Sequence, residues 1–235
     1  MVPTEAPAVR AAAINLKQQL LDIAAQDLGA DPAALSIRAG SIVVRDNPSK
    51  EIRFTELSGL KKRGEVVGLG YRAPNPENRA INPFCAQFCE VEVNTGTGEV
   101  RIIRFLGAHD SGRVMSRLTY DNQVFGGITM GIGLAMSEAR VLDAGQTGKM
   151  VNRNWHDYKL PTALDVPAEM VSLPIEPDDR EANSTGAKGL GEPVTIPTAA
   201  AVANAVFHAT GVRVTRTPMD PTQLCRLLAQ RGKEK

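Results

Sequence analysis

Residues 84–106, FCAQFCEVEVNTGTGEVRIIRFL, contain two β-rich runs, Phe84 to Val93 and Val100 to Leu106. The connecting residues, Asn94 to Glu99, include glycines at positions 96 and 98. Glycine permits the positive φ angles that a tight turn requires. The segment therefore predicts a β-hairpin.

Helices and further strands are predicted on both sides of this hairpin. Apolar periodicity and capping residues predict helices at Val9 to Leu28, Leu118 to Met136 and Ile196 to Thr210, a last helix from Asp220-Pro221, and strands at Leu35 to Arg38, Ser41 to Val44, Arg140 to Leu142 and Glu169 to Ile175. Strand pairs without regular βαβ alternation indicate an α+β fold with mixed or antiparallel strands and packed helices. A change to charge, Pro and Asn after Lys61 divides the chain into predicted domains 1–63 and 64–235.

Composition excludes several classes of protein. The 235 residues carry a net charge of +1, which gives no global footprint for nucleic acid or an anionic membrane. No window approaches 18 uninterrupted apolar residues, and the N-terminus lacks a signal-peptide pattern, so we expect neither membrane insertion nor export by this chain. The three cysteines indicate reduced thiols and a cytoplasmic location.

The segment Ser184 to Pro193, STGAKGLGEP, precedes the Ile196 helix and contains three glycines and Lys188. Amides near a helix N-terminus favour anionic groups, and Glu192 before proline has a restricted backbone that suits a positioned base. The alternative is that Glu192 is an ordinary acid near a helix start and that the glycines form a plain loop. Spacing alone favours this alternative.

A second glycine-rich segment, Asn122 to Gly133, reads NQVFGGITMGIG within a predicted helix. Helical glycines either let another element pack closely or expose amides to a cofactor, and the spacing does not separate these alternatives. A side-chain metal site has little support, because the three histidines are far apart and Cys85 and Cys89 have no second pair. A Ser-His-Asp triad is equally weak, since no Gly-x-Ser-x-Gly motif is present.

Five ordered motifs resemble the molybdenum-binding subunit of the xanthine oxidase and aldehyde oxidase family of molybdenum hydroxylases. They are Gly107 to Arg113, Gly126 to Gly133, Asp157 to Pro167, Gly186 to Pro193, and Ala199 to Ala205 with Gly211 to Val214. The resemblance runs from about Gly64 to Pro221 and more faintly back to Val9. It implies the α+β fold of the second molybdenum-binding domain of that family, with residues 1–63 completing one subdomain and 64–235 forming the other.

The resemblance also implies an activity and a set of site residues. Glu192 would be the general base in hydroxylation of an aldehyde or N-heterocycle with oxygen taken from water. The cofactor would be a molybdenum-pterin, either molybdopterin or its cytosine dinucleotide form, with iron-sulfur clusters and FAD on partner subunits or domains. The implied cofactor contacts are Gln123, Gly127, Ile128, Thr129, Met130, Gly131, Lys188, Gly189, Leu190 and Gly191.

The chain departs from the family pattern in two respects. Met130 stands where many members have glutamine, and a thioether cannot donate a hydrogen bond. Family subunits are several hundred residues longer at the N-terminus, and that part holds further cofactor contacts and most of the substrate pocket. We therefore expect the C-terminal portion of a catalytic subunit, whose partners are the remaining N-terminal part, an iron-sulfur subunit and an FAD subunit. The assembly would be periplasmic instead of cytoplasmic if a partner subunit carried the export signal. The alternatives are a non-catalytic assembly or anion-binding module, or an inactive isolated fragment.

Overall fold

The computed structural model describes residues 2–177 and 179–233. These residues form two compact units. One unit contains the described residues up to Arg79 together with Arg180–Gly186, and the other contains Ala80–Asp179 and the residues from Ala187 onward. None of the described helices is both long and apolar enough to cross a membrane.

The first unit combines one long helix with a small sheet. Its elements are α1 (Val2–Leu28), β1 (Leu35–Arg38), β2 (Ser41–Val44), β3 (Asn47–Arg53) and α2 (Ser58–Arg63). The predicted hairpin of β1 and β2 is confirmed, with antiparallel pairing from Leu35–Val44 to Arg38–Ser41 and a turn at Ala39 and Gly40, both of positive φ. A buried cluster that includes Ala24, Leu35 and Ile42 holds the helix against the sheet.

The division between the units lies at Arg79, whereas the sequence places the domain boundary at Arg63. The reason is that the segment after Gly64 lies along α1. Gly68 and Gly70 approach the α1 backbone so closely that a Cβ at either position would overlap Ala12. Gln19 also donates a hydrogen bond to the Val67 carbonyl oxygen at 2.9 Å. The charged, proline-rich composition of this segment is typical of a connecting stretch, but the segment belongs to the first unit.

The second unit contains a three-stranded sheet of β4 (Phe84–Val93), β5 (Val100–Asp110) and β6 (Glu169–Ile175) in that order. The predicted hairpin is confirmed, since β4 pairs antiparallel with β5, and Asn94 Oδ1 accepts from the amides of Gly96 and Thr97 in the turn. The strand β6 joins β5 in parallel. The sheet is therefore mixed, which agrees with the predicted α+β fold of mixed or antiparallel strands.

Three helices complete the second unit: α3 (Arg117–Met136), α4 (Thr198–Thr210) and α5 (Pro221–Lys233). Their apolar side chains and the inner face of the sheet form one buried cluster, which includes Phe105, Val124, Ile128, Val202 and Leu224. Gly211, with φ of 70°, ends α4 in the left-handed conformation that the sequence predicts. Asp220 caps α5 by accepting from the Gln223 amide at 2.9 Å.

Three elements differ between the sequence prediction and the structure. The sequence does not predict strand β3, which is largely exposed, or helix α2, which is short and charged. The predicted strand from Arg140 to Leu142 is wrong: it forms only an isolated bridge between Leu142 and Met150. Backbone bonds from the Asp143 amide to the Lys149 carbonyl oxygen and from the Val151 amide to the Val141 carbonyl oxygen flank this bridge.

Candidate functional site

The loop that carries Glu192 runs from Ala187 to α4, and turns occupy its residues 191–197. Its upstream end joins a short bridge between Ala187 and Gly112, which follows β5. Near its downstream end, the Thr195 amide donates to the Glu192 carbonyl oxygen at 2.9 Å. The Glu192 side chain is exposed. The fold thus presents this carboxylate at a surface of the second unit.

Lys188 fixes the upstream end of the loop. Its Nζ donates to Asp110 Oδ2 at 2.7 Å and lies 3.2 Å from Asp179 Oδ2, and its backbone amide donates to the Ser111 carbonyl oxygen at 2.6 Å. The side chain is 7% exposed. Burial by itself lowers the pKa of Lys188, but hydrogen bonds and charges from the two aspartates outweigh burial and raise the pKa above its usual value. The ammonium group therefore neutralises two carboxylates of the same unit and is not a free positive charge beside the loop.

Val194 fixes the downstream end. It is fully buried, and α3 approaches it so closely that a Cβ at Gly127 would overlap its side chain. A Cβ at Gly131 would overlap Thr198, the first residue of α4. Of the two alternatives for the glycine-rich helix, close packing accounts for these two buried glycines.

The other predicted cofactor contacts on α3 have different surroundings. Ile128 is fully buried in the core, and Thr129 Oγ1 donates to the Phe125 carbonyl oxygen at 2.8 Å. Met130 is 55% exposed. Gln123 is exposed, and its Oε1 would lie 3.6 Å from a Cβ placed on Gly191. Gln123 on α3 therefore lies next to the loop that carries Glu192.

Within the loop, Leu190 is half-buried against the core of the second unit, while Gly189 and Gly191 are exposed. A Cβ at Gly189 would meet no atom within 4 Å, so the space beside its α carbon is open. The side of the loop near Gly191 presents two exposed polar side chains, the Gln123 amide and the Glu192 carboxylate. This donor and acceptor set suits a polar organic ligand.

Sequence reasoning missed three polar residues that shape the loop: Gln87, Asp110 as an ion-pair partner, and Asp179. One feature of the sequence could have identified Gln87: it alternates with Cys85 and Cys89 on the predicted strand and is the polar residue on that face. Asp110 lies 78 positions before Lys188, so no local pattern indicates their contact. Asp179 is near Lys188 in the chain, but no helical or strand periodicity links the two residues. Among residues 2–177 and 179–233, no group of three His, Cys, Asp or Glu side chains is placed to hold a metal ion.

Comparisons with known proteins agree on one family. The family model described as "Molybdopterin cofactor-binding domain" matches residues 1–167. The putative xanthine dehydrogenase molybdenum-binding subunit XdhA of Escherichia coli K12 is 34% identical over 227 residues, which are 93% of this chain and 29% of that protein. The aldehyde oxidoreductase molybdenum-binding subunit PaoC of the same organism is 31% identical over 216 residues, 92% of this chain and 28% of that protein.

Solved structures show the same fold. A Cu,Mo-CO dehydrogenase superposes with a TM-score of 0.81 at 24% identity, over 98% of this chain and 29% of that chain. Quinoline 2-oxidoreductase from Pseudomonas putida 86 gives a TM-score of 0.77 at 25% identity, over 94% of this chain and 29% of that chain. The chain thus spans less than a third of the length of these relatives. The resemblance read from the sequence motifs is confirmed: this chain belongs to the molybdopterin cofactor-binding domain family.

Proposed function

We propose that this chain is the C-terminal part of the catalytic subunit of a molybdenum-dependent hydroxylase and that Glu192 is its general base. The observation that carries the proposal is the placement of Glu192: an exposed carboxylate on a loop that is fixed at Lys188 and at Val194. A base must be held in place to remove a proton efficiently, yet it must remain accessible to the reacting group. Both requirements are compatible with this loop.

The residues around Glu192 fit a molybdenum-pterin, as molybdopterin or its cytosine dinucleotide form. Gly189 and Gly191 are exposed residues, and in this proposal their amides and the Gln123 side chain would hydrogen-bond the polar edges of a pterin. Thr129, Met130 and Leu190 are further contacts in this proposal. Packing accounts for the burial of Gly127, Ile128 and Gly131, so we place any contribution of these three in shaping the surface rather than in direct contact. The Lys188 ammonium group is engaged with Asp110 and its amide with the Ser111 carbonyl oxygen, so we place the contribution of Lys188 in holding the loop in position.

In the proposed reaction an aldehyde or N-heterocycle exchanges a carbon-bound hydrogen for a hydroxyl group. The oxygen comes from water, and two protons and two electrons are released. When bound, the molybdenum centre supplies the redox chemistry and passes electrons on to iron-sulfur clusters and FAD of partner subunits or domains. Glu192 accepts a proton from the attacking oxygen, since a carboxylate offers only acceptor atoms. Gly189 and Gly191 leave room for the ligand because they carry no side chain.

A substitution in the complete enzyme tests this assignment. Glu192→Gln preserves size but removes the proton acceptor, so we expect turnover to be abolished while molybdenum content stays near normal. Glu99→Gln, at an exposed glutamate in the turn between β4 and β5 of the same unit, is the matched control and should leave turnover unchanged. Retained activity in Glu192→Gln would overturn the proposal. The isolated chain should neither retain molybdenum tightly nor turn over, which a metal assay can measure.

A non-catalytic assembly module is the second candidate, and one observation favours it. The outer face of the sheet presents five large apolar side chains that are 40–64% exposed: Phe84, Phe88, Val171, Leu173 and Ile175. Contiguous exposed apolar surface of this kind is typical of an interface. We propose the remaining part of the molybdenum subunit as the partner for this face. Under this candidate, Glu192→Gln would leave the activity of the assembled enzyme intact.

The three cysteines bear on location. Cys85, Cys89 and Cys225 are all free thiols, and burial raises the pKa of Cys89 to about 12, so this thiol is unreactive. Free thiols are usual in reducing compartments. We propose a cytoplasmic complex on this basis.

A further inference from the structure

Gln87 is a buried amide on the inner face of β4, opposite Gly107 of β5. Its Nε2 donates to the Val194 carbonyl oxygen at 2.6 Å, and its Oε1 accepts from Thr198 Oγ1 at 2.7 Å. Val194 closes the loop that carries Glu192, and Thr198 begins α4. One side chain of the sheet therefore binds both the end of the loop and the start of the helix that follows it.

His109 on β5 adds a third contact to this amide. Its Nε2 lies 3.3 Å from Gln87 Nε2, and the residue is 1% exposed. Because the Gln87 nitrogen can only donate, His109 Nε2 must accept, which places the ring proton on Nδ1. Burial lowers the pKa of His109 and so favours this neutral form. The histidine thereby holds the Gln87 amide in a single orientation.

The network has a cost in stability. Among the described residues, His109 Nδ1 has no hydrogen-bond partner. A buried donor without a partner lowers stability, and such groups are rare in native structures. An apolar residue at position 109 would avoid this cost. The arrangement is therefore better explained by the need to hold a specific geometry than by stability alone.

Helix α3 contacts the same two residues that Gln87 binds. The absence of side chains at Gly127 and Gly131 admits Val194 and Thr198 against the helix backbone. Packing from α3 and hydrogen bonds from β4 thus act on the same two points. Packing restricts their distance from the helix, whereas the directional bonds of Gln87 restrict their orientation.

We propose that Gln87 is a positioning residue, whose amide fixes Val194 and Thr198 and thereby fixes the place from which Glu192 acts. This inference rests on the proposed role of Glu192. Glu192 lies four residues after Lys188 and two before Val194, so it stands between two fixed points. Loss of the Gln87 bonds leaves the upstream point intact and leaves the nearer one held by packing against α3 alone.

The first test uses the full 235-residue chain and does not depend on activity. In Gln87→Leu, amide hydrogen exchange at Thr195 and Thr198 should become at least about tenfold faster, because each lost bond of about 1.4 kcal/mol corresponds to one factor of ten in local opening. Gln87→Glu keeps the size of the side chain but loses the donor. It should show the same change and serves as the second variant if Gln87→Leu folds poorly.

Asn152→Leu is the matched control for a buried amide. Asn152 is also buried, donates to the Ala139 carbonyl oxygen at 2.7 Å and accepts from the Val141 amide at 3.0 Å, remote in sequence from the loop. It should leave exchange at Thr195 and Thr198 unchanged. Unchanged exchange in both Gln87 variants, or an equal rise in Asn152→Leu, would overturn the positioning role.

The second test uses the complete molybdenum enzyme and separates kcat from KM. Misplacement of a reacting group by about 1 Å reduces rate by up to about a hundredfold, so Gln87→Leu should lower kcat about 10- to 100-fold while KM stays within about threefold. Asn152→Leu, the matched control, should leave both kcat and KM unchanged. A kcat for Gln87→Leu within about threefold of the native value, or an equal loss in Asn152→Leu, would overturn the inference.

The two tests distinguish the failure of each proposal. If Glu192→Gln retains activity, the proposed function fails, whatever the exchange data show. If Glu192→Gln is inactive but Gln87→Leu leaves kcat and loop exchange at native values, the general base stands and the positioning role of Gln87 fails.

Discussion

Replacement of Lys188 by methionine tests how the Glu192 loop is anchored. The Lys188 ammonium lies 2.7 Å from Asp110 Oδ2 and 3.2 Å from Asp179 Oδ2, and its side chain is 7% exposed. Methionine keeps most of the aliphatic stem and removes the charge. The two aspartates would then lose this cation while remaining largely buried.

The magnitude follows from the burial of the three groups. Removal of one partner from a fully buried ion pair costs about 3–5 kcal/mol. The side chains of Asp110 and Asp179 are 18% and 28% exposed, so water offsets part of the loss. We expect Lys188→Met to lower the free energy of unfolding by about 2–3 kcal/mol and the Tm by about 5–10 °C. Adding Asp110→Asn should restore about 1 kcal/mol, because it removes one uncompensated charge.

Amide hydrogen exchange of β5, together with thermal unfolding, measures this effect. Lys159→Met is the matched control, because Lys159 pairs with Asp165 at 2.5 Å in the same unit but has a side chain that is 52% exposed. An exposed pair contributes less than about 1 kcal/mol, so the control should shift little. The reasoning is refuted if Lys188→Met destabilises no more than Lys159→Met, or if Asp110→Asn destabilises the double variant further.

The pH dependence of this effect has a definite sign. Burial alone would lower the pKa of Lys188, but Asp110 and Asp179 raise it above the usual 10.5. A group whose pKa is raised on folding stabilises fully below its unfolded pKa, and the stabilisation is lost as the pH rises through the folded pKa. The difference between the native chain and Lys188→Met should therefore remain constant at neutral pH and shrink only in strong alkali.

Two further predictions concern α3 and the buried histidine. Gly127→Ala should lower the free energy of unfolding by about 1–3 kcal/mol, because its Cβ would overlap Val194. Gly126→Ala should raise the free energy of unfolding by about 0.5–1 kcal/mol, because its Cβ would meet no atom within 4 Å. Equal shifts of the two variants in thermal unfolding would contradict this packing. Burial lowers the pKa of His109 below 6.5, so its contribution is complete above pH 6.5 and is lost as the pH falls through the folded pKa. Urea unfolding from about pH 7.5 to about pH 5 should therefore fall more steeply for the native chain than for His109→Gln, and parallel curves would assign the loss to other groups.

Local signals determined most of the secondary structure. The hairpin of β4 and β5 follows from two β-rich runs around a glycine-containing turn, and Gly211 and Asp220-Pro221 mark the end of α4 and the start of α5. These signals act over a few residues, so they can be read without the fold. The sequence does not show that the segment after Gly64 packs on α1, because the contacting residues are far apart in the chain. Gln19 and Val67, which share a hydrogen bond, are separated by 48 positions.

The sequence by itself determined the family, the α+β class and the choice of Glu192 as the candidate base. These conclusions depend on motifs and periodicity within short stretches of the chain, which can be recognised without the fold. Only the tertiary structure revealed how the Glu192 loop is held. Lys188 meets Asp110 across 78 positions and Gln87 meets Val194 across 107, and no local pattern encodes such contacts. The physical reason is that a buried charge or amide finds its partner through the packing of the whole unit, and that packing also uses Gly127 and Gly131 as space for neighbouring side chains.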